Sequence, residues 1–137
     1  MSLLYSPSDL YQMAEAHGQK GRDAYVWARW TFDLVFPLVY GAALLTALGW
    51  LCARVFAPGS LWQRANLAPV LGVFFDYLEN ASTSLVMLRY PDKTPVVDLL
   101  APVFTLTKWA FVGGSIVLLL SGAIIGVRRW VQRKGPW

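Results

Sequence analysis

The sequence predicts an all-α integral membrane protein: three transmembrane helices, two with long extramembrane extensions, preceded by a short N-terminal amphipathic helix. Three observations carry that prediction. Hydrophobic residues make up 56% of the 137-residue chain and charged residues only 15%, with a positive mean hydropathy of +0.45, outside the balance of a water-soluble domain. Apolar runs long enough for a ~30 Å hydrocarbon core recur along the chain, parted by turn-forming residues. The basic residues flank those runs instead of forming a patch interleaved with aromatics, so the pI of 9.5 reads as membrane topology and excludes nucleic-acid binding as its explanation. An aromatic content of 15% argues against disorder, and the single cysteine, Cys52, against a disulfide scaffold. One membrane domain over residues 1–137 is expected.

The N-terminus has no basic segment leading into a continuous apolar core, so a cleaved signal peptide is not expected. Ser6 as N-cap, Pro7 at the first helical position and Asp9 in the first turn start a helix over residues 7–17, ended by His17-Gly18. Leu10, Met13 and Ala14 share one face of it, which suits either a membrane surface or the side of a bundle. Residues 21–56 contain no strong breaker except Pro37, which predicts one long helix carrying the first span and projecting from the bilayer at its start. Ala57-Pro58-Gly59-Ser60 is a turn, and residues 62–89 hold the second span. Arg89-Tyr90-Pro91-Asp92-Lys93 is the next turn. Thr94-Pro95 then opens a long helix over residues 94–131, with the third span in its second half and Pro102 as a possible break in the first.

Orientation follows from basic residues in short loops. Arg54, Arg64, Arg128, Arg129, Arg133 and Lys134 fall on one side, against Lys20, Arg22, Arg89 and Lys93 on the other. This places the C-terminus in the cytoplasm and the N-terminus outside, in a multipass protein of the inner membrane. Trp27, Trp30, Trp50, Trp62, Trp109 and Trp130 sit near the expected span ends, as an interfacial aromatic belt requires.

The second span carries the sharpest pattern. Asp76, Glu79, Asn80, Thr83 and Ser84 lie at i, i+3, i+4, i+7 and i+8, all on one helical face. A charged side chain at mid-bilayer costs roughly 2.5–3.5 kcal/mol on insertion scales, so two carboxylates there need partners, protons or a wet cavity. Arg29, Asp33 and Tyr40 on the first long helix, and Thr105, Lys108 and Ser115 on the third, are the candidate partners. Among Arg29, Lys108, Asp33, Asp76 and Glu79 one carboxylate is left without a counter-ion, and the cavity formed is expected to open outward.

Gly122-x-x-x-Gly126, with Gly114 and Ser115 nearby, would let a second backbone approach the third span, either the first span or another copy of the chain. One histidine, His17, and one cysteine leave no ligand set for zinc, iron-sulfur or haem, and no triad or phosphate loop is present. Neither a catalytic residue, a metal nor a cofactor is expected.

Gly18-x-x-Gly21-Arg22-x-x-Tyr25, then Asp33, Phe36-Pro37, Asp76-x-x-Glu79-Asn80, Tyr90-Pro91 and Lys108 resemble, in that order, uncharacterised small multipass bacterial membrane proteins. The resemblance covers most of the chain and implies that Arg22, Asp33, Asp76, Glu79, Asn80 and Lys108 act together. Two functions suit these residues. One is a non-enzymatic bundle locked by its charged core, working as a self-associating or accessory subunit of a larger membrane complex. The other is a transporter or binding protein whose acidic cavity takes a proton, a cation or an amine-headed amphiphile.

Overall fold

The computed structural model describes residues 4–57 and 59–133, with backbone alone at 61–63 and 133. Four helices follow in order: α1 (Pro7–Arg29), α2 (Phe32–Val55), α3 (Ala68–Arg89) and α4 (Val97–Arg133), with a 3-10 turn over Leu61–Leu67 before α3. Helices α1 and α2 are parted only by Trp30 and Thr31, so the molecule has three helical arms. Two apolar stretches, Pro7–Val55 and Val97–Gln132, are long enough to cross a membrane. Pro58, the Trp62 ring, the Arg133 side chain and Lys134, which entered the turn, the aromatic belt and the orientation count, lie outside the described residues.

The start of α1 forms as its residues dictate. The Asp9 amide donates to Ser6 Oγ at 3.3 Å and the Ser6 amide to Asp9 Oδ2 at 2.7 Å, a reciprocal capping box. These bonds hold the exposed Asp9 carboxyl below the ordinary aspartate value. Regular helix stops at Gly18 as expected, at φ 60° and ψ 179°, a backbone region open essentially to glycine alone, and a second helical segment continues α1 beyond this kink to Arg29. Around the kink His17 Nδ1 donates to the Met13 carbonyl at 2.7 Å and Arg22 Nη1 to the Ala14 carbonyl at 3.0 Å.

The apolar face of α1 docks on the bundle. Leu10 packs with Val86 of α3 and Ala101 of α4, all three fully buried. The Tyr11 hydroxyl accepts from the Thr94 amide (2.8 Å) and donates to Asp98 Oδ2 (2.8 Å), pinning α1 to the start of α4.

A single helix over residues 21–56 is not what forms. Thr31 Oγ1 donates to the Trp27 carbonyl at 2.7 Å, giving the chain a local alternative to the helical ladder in a Trp-Thr-Phe run of modest helix propensity. The interruption falls between Arg29 and Asp33. Helix α4, by contrast, runs through Pro102 unbroken.

Helix α3 is central and touches the other three. Asp76, Glu79, Asn80, Thr83 and Ser84 are all buried, while Val70, Leu71, Phe74, Leu85 and Leu88 on its other side are exposed. Each pair among α2, α3 and α4 closes on one glycine. A Cβ on Gly41 would run into Val73 Cγ2, one on Gly72 would lie 2.8 Å from Val112 Cγ2, and one on Gly122 2.5 Å from Leu51 Cδ2.

Candidate functional site

Polar residues from the end of α1 and from α2, α3 and α4 meet as two neighbouring clusters. In the first, Arg29 Nη1 donates to Asp33 Oδ2 at 2.7 Å and to Asn80 Oδ1 at 2.9 Å. Its Nε and Nη2 donate to the Tyr25 hydroxyl at 3.0 and 2.8 Å. The second cluster centres on Lys108. Its ammonium donates to Asp76 Oδ1 at 3.3 Å and lies 2.6 Å from Glu79 Oε2, an ion pair whose angle falls outside hydrogen-bond geometry. Tyr40 donates to the other Asp76 oxygen, Oδ2, at 2.7 Å.

Asn80 also ties the first cluster to the backbone of α2. Pro37 has no amide hydrogen, so the Asp33 carbonyl four residues earlier lacks its helical donor. Asn80 Nδ2 donates to that carbonyl at 3.3 Å. One helix turn along α3, the Tyr77 hydroxyl donates to the next carbonyl of α2, Leu34, at 2.7 Å. A proline inside an apolar helix is tolerated where a neighbour satisfies the freed carbonyl, and α3 supplies the donors here.

Arg29, Asp33, Tyr40, Asp76, Glu79, Asn80 and Lys108 therefore come together, and one ammonium serves two carboxylates. Arg22, Thr105 and Ser115, also expected from the sequence, do not join them, since Arg22 lies over the Tyr90 ring, Thr105 pairs with Tyr5 and Ser115 bonds the Phe111 carbonyl. Asp76 and Glu79 are one-tenth exposed or less, as is nearly true of Lys108, while Asp33 is 37% exposed at its side chain. The excess negative charge is thus on the buried Lys108 side. Of the four packing candidates, Gly122 and Ser115 face inward, Gly122 against Leu51 and Ser115 donating to the Phe111 carbonyl at 2.7 Å. A Cβ added at Gly114 or Gly126 would meet no described atom within contact distance; Gly114 is exposed on the outer side of α4, whereas Gly126 borders a groove between the last turns of α2 and α4.

A groove of ≈ 520 Å³ opens on these clusters between α2 and α4. Arg29, Asp33, Asp76 and Lys108 line its charged part, and Phe36, Leu44, Trp109 and Ile116 are among its apolar walls. It differs from an acidic cavity in two respects. Glu79 lies behind it, so the lining holds two bases and two acids. Its border residues Phe36, Trp109 and Ile116 are exposed on the flank of the bundle, so the groove opens sideways along the helices and not at their end. The reason is geometric: α1 and the start of α4 cover the end of α3, leaving the α2/α4 side as the free approach.

Tyr25 and Trp109 join the site without having been expected there from the sequence. Tyr25 stands four residues before Arg29 on the same helical face, the spacing that reveals such a pair. Trp109 reads equally well as an interfacial anchor, and only the groove assigns it a wall. The chain matches no protein-family model, no curated protein and no solved structure.

Proposed function

We propose that the protein is a three-span inner-membrane protein that holds an amine-headed amphiphile, such as an aminophospholipid, in the lateral groove between α2 and α4. Membrane placement is supported by how little of the two apolar stretches the bundle covers, 22% and 11% of their most apolar windows; the core helix of a soluble domain would be mostly covered. Helix α3 is the second span of the chain in this reading. Its 22 residues extend about 33 Å at ~1.5 Å per residue, it buries its polar stripe, and it turns an apolar face outward. The basic ends of α2 and α4 lie in the cytoplasm.

The observation that carries the ligand is the groove's division into a charged end, which holds two acids and two bases, and apolar walls. Asp76 and Asp33 can accept from a primary ammonium, Arg29 and Lys108 can hold the adjoining phosphate, and Phe36, Leu44 and Ile116 can flank a chain. Native mass spectrometry of detergent-solubilised protein tests this. Phosphatidylethanolamine should be retained in preference to phosphatidylcholine, whose quaternary head donates no hydrogen bond, and the preference should disappear in Asp76→Asn and weaken in Tyr40→Phe. Equal retention of both lipids by the unaltered protein would overturn the reading.

A second reading is favoured by the mutual satisfaction of the ionic groups: the core locks a bundle that serves as a self-associating or accessory subunit. Its partner surface would be the outward side of α4 at Gly114. Gly114→Leu should then lower the oligomeric mass seen by light scattering, and an unchanged mass would remove the case for it.

A further inference from the structure

A second groove lies at the opposite end of the bundle from the charged core. It has a volume of ≈ 530 Å³ between the last turns of α2 and α4 and is lined by Trp50, Arg54, Ala123, Gly126, Arg129 and Trp130, among others. The Arg54 guanidinium stacks over the Trp50 ring, 3.9 Å from its centroid, which orients the cation at the groove edge. Arg129 is anchored by donation from Nη1 to the Val55 carbonyl at 3.2 Å, closing the C-terminal turn of α2. No acid stands near to neutralise them by sequence: there is no Asp or Glu between Asp33 and Asp76, and none after Asp98.

The groove continues along the bundle. A shallower depression of ≈ 640 Å³ shares Trp50, Leu51 and Ala123 with it and extends to Ala42, Ala43 and Thr46, with no charged residue in its lining. From Arg54 to Ala42 is twelve residues of α2, about 18 Å at ~1.5 Å per residue. One leaflet of hydrocarbon is about 15 Å deep, half of the ~30 Å core. Two cationic heads flanked by indoles at one end, joined to an apolar channel one leaflet deep, match the parts of one lipid molecule.

We infer that the Arg54/Arg129 end of the α2/α4 face is a binding site for an anionic phospholipid, with its phosphate between the two guanidinium groups and an acyl chain along Ala123, Thr46 and Ala42. Arginine forks recognise phosphate oxygens, and indoles suit the headgroup depth. The site rests on the membrane placement proposed above and not on the amine site, which lies at the other end of α2 and is read out with a different lipid.

The test is titration of the full chain in neutral detergent with phosphatidylglycerol, followed by native mass spectrometry, with phosphatidylcholine as the comparison lipid. Phosphatidylglycerol should bind preferentially, and R54Q and R129Q should each weaken it roughly fivefold, the attraction of one basic residue for an anionic membrane surface. R128Q removes the same charge from a neighbour that does not line the groove and should leave affinity within about twofold, given the local character of the contact. G126L fills the channel without changing charge and should also weaken binding; circular dichroism melts of all variants check that they fold. Equal binding of both lipids, or R128Q weakening phosphatidylglycerol as much as R129Q, would overturn the site in favour of a diffuse electrostatic attraction. A chain that stays in the aqueous phase without detergent would instead overturn the membrane placement.

Discussion

Asn80 should be the most sensitive uncharged residue in the bundle, and the reason can be isolated in a double-mutant cycle with Pro37. Asn80 is 2% exposed and makes two bonds to the α1/α2 arm, accepting from Arg29 at 2.9 Å and donating to the Asp33 carbonyl at 3.3 Å. Asn80→Leu conserves most of the volume and removes both. A hydrogen bond to a charged group contributes ~1.5–3 kcal/mol and an unsatisfied buried carbonyl costs ~1–3 kcal/mol. Arg29 keeps Asp33 and Tyr25 as partners, which favours the low end, so a total of about 2–4 kcal/mol is expected. Pro37→Ala restores an amide hydrogen able to bond the Asp33 carbonyl. In that background the carbonyl no longer depends on Asn80, and Asn80→Leu should cost about 1 kcal/mol less, the share of one neutral hydrogen bond. Equilibrium unfolding of the four proteins in mixed micelles measures the coupling. An Asn80→Leu penalty that is the same with and without Pro37→Ala would refute the assignment of Asn80 as the donor that replaces the missing proline amide.

Three further outcomes are expected. Lys108→Met leaves Asp76 and Glu79 buried together without their ammonium and should destabilise by about 3–5 kcal/mol; adding Glu79→Gln should recover part of that loss in the same unfolding assay. Gly18→Ala places a Cβ on a backbone at φ 60° and ψ 179° and should cost about 1–3 kcal/mol through strain alone, since no described atom lies within contact distance of the added carbon; a thermal melt reads it, and an unchanged melting temperature contradicts the kink. The lowered Asp9 value means the capping box is complete above the ordinary aspartate range and is lost as pH falls through the lowered folded value. Hydrogen exchange at the first turn of α1 should therefore quicken on acidification, and in Ser6→Ala it should be fast already at neutral pH.

How far each feature could be read beforehand depended on the range of the interaction behind it. The inward stripe of α3 was legible because five polar residues at helical spacing have one side they can face, and the apolar residues around them exclude the other. The cap at Ser6 and the break in regular helix at Gly18 were legible for the same local reason. The interruption at Trp30-Thr31 was not, because a threonine hydroxyl bonding its own preceding turn competes with the helix by a small margin that hydropathy does not register. Nor was the role of Asn80, which depends on a carbonyl that a proline 43 residues earlier in the chain leaves unpaired. Gly122 read equally well as a contact within the chain or between copies, and only the position of Leu51 decides for the former.

By itself the sequence determined the helical class, the long apolar stretches, the faces they bury and the roster of charged residues that must meet. Those follow from periodicity, from the expense of an unpaired charge in an apolar setting, and from the chain's own turns. Tertiary structure alone decided which cation serves which acid, that Glu79 is sealed behind the groove while Asp76 lines it, and that the groove opens sideways between α2 and α4. These depend on how three helices rotate and approach one another at Gly41, Gly72 and Gly122. Contacts of that kind link residues far apart in the chain, where no local pattern records the distance.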